Sequence, residues 1–317
     1  MADLKTPKFN PPQGLEVLTV ERQRRDWPAF AQQLPWRHYS RKNLGYLHAI
    51  ETGARFIFDT DDDNAPLEPW MCCPPHRGLR VEASSGARWI NVYAHFGGTH
   101  VWPRGYPLQE IGRCAAPAIE RGEAQKVVVW QGLVEGDPDV DAIFRLTRCD
   151  PVSFKNAAPI VLPAGSYCPF NSQNTWWSRP AFPYLYLPST VTYRFTDILR
   201  GLIAQRCFWA HGWRLGFHAP TARQERNEHN LLTDFRDELP CYLETARIVA
   251  ALDALSLGHD AAENLSRCYR ALVEHGWVRQ EELPLVETWL NAVVRGAGTK
   301  SPGTARSLPM SRASACA

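Results

Sequence analysis

Arg41-Lys42-Asn43-Leu44-Gly45-Tyr46-Leu47-His48-Ala49-Ile50-Glu51-Thr52-Gly53, followed by Ala54-Arg55-Phe56-Ile57-Phe58 and Asp59-Thr60-Asp61-Asp62-Asp63-Asn64, is the stretch that decides the fold. Leu44, Leu47 and Ile50 recur at helical spacing, and Gly53 stands where a left-handed C-terminal cap belongs. The apolar run after it reads as a buried strand. Helix, cap, strand and acidic turn are the parts of an open α/β sheet, in which ligands collect at the carboxyl ends of parallel strands. Four carboxylates crowd into five positions of that turn. Such charges repel and shift toward their protonated forms unless a cation or hydrogen-bond donors hold them. A hard divalent ion, Mg²⁺ or Mn²⁺, is the natural partner, since it takes one or two carboxylates and completes its shell with water and phosphates. Arg41 and Lys42 begin the helix, beside the positive end of its dipole, where an anion would compensate them. A solvated acidic turn is the plainer alternative. It explains neither the strand that aims the carboxylates nor the Arg-Lys-Asn ahead of them.

Further along, Asn91-Val92-Tyr93-Ala94-His95-Phe96, Val101-Trp102-Pro103-Arg104-Gly105-Tyr106-Pro107, Val128-Val129-Trp130-Gln131-Gly132-Leu133-Val134 and Asp137-Pro138-Asp139-Val140-Asp141 follow in order, then Phe170-Asn171-Ser172-Gln173-Asn174 and Thr196-Asp197-Ile198. Taken with Arg41–Tyr46 and Asp59–Asn64, these segments resemble the STELLO glycosyltransferases, within the nucleotide-sugar glycosyltransferases of GT-A fold, over roughly Asp3 to Leu243. The resemblance implies an α/β, GT-A-like open mixed sheet flanked by helices, apparently lacking the first strand, with a helical C-terminal segment. It also implies metal-dependent transfer of a sugar from a nucleoside-diphosphate sugar, a UDP-sugar first of all, to a carbohydrate or glycoconjugate acceptor.

Roles for single residues follow from the same resemblance. Arg41, Lys42, Asn43, Asp59 and Arg226 would hold the donor. Asp61, Asp63 and a late His218 would hold Mn²⁺ or Mg²⁺, with Asp62 in support. Asp197 would be the general base, although Leu199 stands where the family commonly has Trp. Capping the helix that starts at Thr196-Asp197 is the plainer role for that carboxylate. A lone His is more often packed than a ligand, and Asp137, Asp139 and Asp141 read first as a turn. STELLO proteins are Golgi type II membrane proteins associated with cellulose synthase assembly. The resemblance therefore also implies a Golgi location if an anchor precedes this chain, and a non-catalytic scaffold or regulator of a polysaccharide synthase complex as the alternative function. A metal-dependent phosphohydrolase accounts for the carboxylates but not for the other motifs.

Composition fits a globular enzyme. The 317 residues are 44% hydrophobic and 21% charged with a net charge of +2, which argues for no polyanion surface, and no nucleic-acid signature is present. Twelve Trp suit core packing and sugar stacking alike. Nine cysteines are scattered without zinc spacing, and an odd total argues against a fully paired disulfide set. No run approaches the ~20 apolar residues of a membrane span.

The expected organisation is a catalytic domain over 1–295, divided into a donor and metal part (1–150) and an acceptor part with C-terminal helices (151–295), before a disordered tail (296–317). Strands are predicted at Leu15–Val20, Ala87–Tyr93, Lys126–Trp130 and Ala142–Leu146. A short helix is expected over Trp27–Leu34, and loops over Pro66–Pro75 and Pro151–Pro188. Longer helices are predicted at Asp197–Trp209, Asn230–Leu255 and Ala261–His275.

Overall fold

The computed structural model describes residues 1–68, 74–75, 77–82, 88–113, 116–123, 126–148 and 150–298. In chain order the elements are α1 (Val20–Asp26), α2 (Pro28–Gln33), α3 (Lys42–Glu51), β1 (Phe56–Thr60), β2 (Asn64–Pro66), β3 (Leu79–Val81), α4 (Val92–His95), β4 (Ile119–Glu123), β5 (Val127–Gly136), α5 (Ala142–Thr147), β6 (Ile160–Val161), β7 (Asn174–Ser178), α6 (Thr196–Ala210), β8 (Arg214–Gln224), α7 (Leu231–Asp253), α8 (Ala261–Glu274) and α9 (Glu282–Gly298). Helix α3 ends as its sequence requires, at Gly53 with φ +84°.

One mixed sheet carries the strands in the order β1-β7-β5-β8-β6-β3-β4, with β2 paired to β8. Strand β7 runs antiparallel to both β1 and β5, and β5 runs parallel to β8. Strands β1, β5 and β8 therefore point the same way, and their carboxyl ends bring three loops to one side of the sheet. The acidic turn follows β1, Asp137–Asp141 follows β5, and Arg226 follows β8. This is an α/β architecture with an open mixed sheet and a helical C-terminal part.

Helices α3 and α6 to α9 share a core running from Leu18 to Val293. On strand β1 the alternation turns Ile57 and Asp59 inward, while Phe58 meets Trp176 in a smaller cluster with Trp130 and Val161.

Several sequence expectations are corrected here. Val20 opens a helix rather than closing a strand, because Thr19 Oγ1 accepts the Arg22 amide at 3.2 Å as an N-cap. Asp141 does the same for Ala142–Thr147, accepting from the Phe144 amide at 2.8 Å, so the expected strand there is α5. Asn91 caps α4, and the expected strand before it shrinks to a bridge between Trp89 and Tyr167. The expected loop of Pro151–Pro188 holds β6 and β7, the latter an interior strand. Helix α9 extends to Gly298, past the expected start of the tail. The rest of that tail lies outside the described residues, as do Cys72, Cys73, Cys114, Cys149 and Cys316. Cys168, Cys207, Cys241 and Cys268 are buried.

Candidate active site

A cavity of about 610 Å³ opens where the three loops meet. The acidic turn contributes Asp61, Asp62 and Asp63, the loop after β5 contributes Asp139, and Asp197 comes from the first turn of α6. Cationic lining residues include Lys42, Arg104, Arg194 and Arg226.

Asp59 does not belong to this lining. The two-residue period of β1 sends it into the core, 2% exposed, where its Oδ1 lies 2.7 Å from Lys42 Nζ and its Oδ2 3.1 Å from Arg200 Nη1. Burial alone would raise its carboxyl; Lys42 and Arg200 outweigh that and hold it below the ordinary value. The chain itself thus supplies the first counter-charges to the acidic stretch. Burial likewise opposes the Lys42 charge, and Asp59, Tyr39 and Asp61 more than offset it, holding the ammonium well above its usual range.

Asp61 Oδ1 accepts the Tyr39 hydroxyl at 2.5 Å and lies 3.1 Å from Lys42. Burial raises its carboxyl, with Lys42 and Tyr39 pulling the other way. Asp63 Oδ2 accepts from Gln224 at 2.8 Å, whereas its Oδ1 is buried with no partner. An orphaned carboxylate oxygen beside Asp61 and the more exposed Asp62 fits a hard cation, which needs few protein ligands when phosphates complete its shell. Among the described residues no group of three or more His, Cys, Asp or Glu is close enough to hold a metal unaided.

The remaining expected residues divide sharply. Arg41 lines the cavity, and its guanidinium also donates to Gln23 Oε1 and to the Ala31 and Leu34 carbonyls and stacks 3.5 Å from the Trp36 ring centroid, tying α2 to α3. Asn43 is fully buried and exchanges both hydrogen bonds with the Leu187 backbone, 2.9 Å and 2.8 Å. Neither its burial nor its bonds leave it facing the cavity. His218 sits apart from the turn. It lies within β8 opposite Gly132, its Nδ1 is 2.8 Å from the Ala219 carbonyl, and it does not line the cavity. Burial lowers its pKa to about 4, the state of a packed neutral imidazole. Arg226 does line the cavity and donates to Asp234 at 2.7 Å.

Asp197 faces the cavity but is held on both oxygens. Arg104 grips it through Nη1 and Nη2 at 3.0–3.1 Å, the Ser172 amide adds 3.3 Å, and Oδ1 accepts the Ile198 amide at 3.0 Å. Asp197 is not the cap of α6: the N-cap is Phe195, no side chain caps the helix, and Asp197 lies within its first turn.

Arg104 is the residue that inspection of the sequence missed. It also forks onto Asp139, with both bonds at 2.8 Å, so one buried guanidinium joins the loop after β5 to α6. Asn171 completes the junction by donating to Asp139 Oδ2 at 2.7 Å while its carbonyl accepts from Arg200 at 3.2 Å. Against the cost of burial, Arg104 and Arg194 hold the Asp139 carboxyl far below the ordinary range. Arg104, Asp139 and Asn171 all sit inside motifs quoted above. What marked them was a charged or amide side chain flanked by Pro, Gly or aromatic residues, a setting that buries polar groups only when they are paired.

An acidic turn at the carboxyl ends of co-directed strands, over a cavity lined by both charges, is consistent with a GT-A-like α/β fold. The family model described as STELLO glycosyltransferases matches residues 194–300. Two Arabidopsis thaliana proteins, "Probable glycosyltransferase STELLO1" and "Probable glycosyltransferase STELLO2", are each 29% identical to it, over 91% and 90% of this chain and 40% of their own lengths. By these matches the chain is similar to the STELLO glycosyltransferases. It spans about 40% of the length of those relatives. No described helix is long and apolar enough to cross a membrane.

Proposed function

We propose that this chain transfers a sugar from a nucleoside-diphosphate sugar, most simply a UDP-sugar, to a carbohydrate or glycoconjugate acceptor with the help of Mn²⁺ or Mg²⁺. The observation that carries this reading is the cavity itself, where Asp61, Asp62 and Asp63 stand beside Lys42 at the carboxyl end of β1. Asp61 and Asp63 would hold the metal, and the orphaned Asp63 Oδ1 is the ligand atom in waiting. When bound, the ion supplies Lewis-acid neutralisation of the charge that grows on a departing diphosphate.

The protein's own groups do the rest. Tyr39 and Lys42 orient Asp61 by hydrogen bonds, and Asp59 with Arg200 anchors Lys42 from below the turn. Lys42 is the cation nearest the turn that can meet a donor phosphate. Asp197, aimed by the Arg104 fork, is the candidate base for an acceptor hydroxyl; to accept that proton it exchanges part of its Arg104 contact for the hydroxyl. The alternative is a non-catalytic relative in a Golgi setting that assists a polysaccharide synthase and would use the surface rather than this cavity.

Calorimetric titration of UDP and several UDP-sugars, with and without Mn²⁺, separates the two. Metal-dependent binding that disappears in Asp61→Ala is the expected result. A folded chain that binds none of these ligands at any metal concentration removes the transferase reading.

A further inference from the structure

A second cavity of about 410 Å³ is lined by the loop after β5, by α5 and by the start of α7. It shares Arg145, Arg226, Asn227 and His229 with the first cavity, so these residues form a common wall. The two guanidiniums in that wall are largely buried, with side chains 16% and 10% exposed. Each could donate five N–H bonds. Arg145 spends its two terminal nitrogens on Asp137 and the Pro138 carbonyl, and its Nε is buried with no partner. Among the described residues Arg226 donates only to Asp234, and Asp234 is shared with His229 at 3.2 Å.

Buried arginines with unspent donors are costly unless a ligand completes them. A planar fork of this kind matches the oxygens of phosphate or carboxylate. Burial, reinforced by Arg145 and Arg194 and opposed by Asp234 and Asp139, lowers the Arg226 pKa to about 10.

We propose that Arg145 and Arg226 together bind an oxyanion carried by a ligand that extends from the first cavity into the second. The group is either a phosphate of the donor or an acidic group, such as a uronic acid carboxylate, on the acceptor. Only the assignment to donor or acceptor rests on the transferase reading; the site itself rests on the shared wall.

The test uses the full chain with Arg145→Gln, Arg226→Gln and the milder Arg226→Lys, each checked by circular dichroism. UDP affinity is measured by calorimetry, and contact with glucuronic acid, against glucose as control, by saturation-transfer NMR. A tenfold or greater loss of UDP affinity supports the site and assigns its oxyanion to the donor. Unchanged UDP affinity with a lost glucuronate signal supports it and assigns the group to the acceptor. If the glutamine variants fail to fold, a folded Arg226→Lys that weakens either ligand threefold or more supports the fork. Folded variants that match the parent chain with both probes overturn the proposal and leave the transferase reading standing. Failure of the parent chain to bind UDP sinks the transferase reading instead; an arginine-dependent glucuronate signal would then still uphold the site, and its absence would end it.

Discussion

Asp59 shows how one residue's role turns on which way a strand faces. Four carboxylates in five positions look alike in the sequence, yet β1 directs Asp59 to Arg200 and Lys42 in the core and leaves its neighbours at the cavity. Removing one partner of a buried ion pair leaves an uncompensated charge. Arg200→Met should therefore destabilise the fold by roughly 3–5 kcal/mol in urea unfolding, and pairing it with Asp59→Asn should restore part of the loss. A cost below about 1 kcal/mol would mean that Lys42 alone suffices to hold Asp59. His218 makes a separate prediction. Burial depresses its pKa from 6.5 to about 4, so the unfolded chain takes up a proton before the native one does. Its contribution to stability is complete above pH 6.5 and is lost as pH falls toward 4. Asp141, raised by burial to about 6, works in the opposite direction over part of this range. His218→Gln should thus lose less stability than the parent between pH 6.5 and 4, by roughly 3 kcal/mol, as followed by urea midpoints. Parallel pH profiles would contradict a buried neutral imidazole.

At the level of elements, β5 and β8 form the central parallel pair, and their close approach depends on a glycine. A Cβ at Gly216 would fall 2.4 Å from carbons of the Trp130 ring, which is itself buried against Val161. Gly216→Ala should cost about 1–3 kcal/mol, read from thermal or denaturant melts; a neutral substitution would show that the ring can move aside. Strand β8 also tolerates Pro220, because the register with β5 shifts between Gly132 and Val134, where His218 and Ala222 bracket the proline. Helices α3, α6, α7 and α8 were legible from apolar spacing and caps. Strand β7 was not: Asn174-Thr-Trp-Trp-Ser178 is short and surrounded by Pro and Asn, and only pairing with β1 and β5 on either side makes it a strand. The capping bonds of Asp141 and Asn91 overrode local β-like patterns in the same way.

For the molecule as a whole, the C-terminal helices share one hydrophobic core with the sheet. Helix α9 packs on α2, α3 and α8. Its Trp289 is fully buried and donates to the Pro183 carbonyl at 2.9 Å, while Glu282 accepts from the Ser189 and Thr190 amides, both at 2.8 Å. Those bonds, with Asn43 on Leu187, fix the segment that leads into Tyr193, Arg194 and Asp197 at the cavity. Ending the chain after Gln280 should therefore abolish the cooperative thermal transition, whereas the complete chain should lose tryptophan fluorescence and far-ultraviolet ellipticity together. A truncated chain that still melts sharply would show that α9 is an independent addition.

The order of motifs along the chain was enough to point to an α/β, GT-A-like sheet, to the helix that precedes β1, and to an acidic turn at the end of that strand. These features are local, or depend on spacing that survives in one dimension. Tertiary structure alone decided that Asp59 belongs to the core, that Asn43 and Arg41 hold backbone segments, and that His218 stands apart from the carboxylates. It also brought Arg104, Asp139, Asn171 and Asp197 into one junction across 93 positions of chain. Which buried charge meets which partner is set by the facing of strands and the packing of helices, and no stretch of sequence read alone contains that.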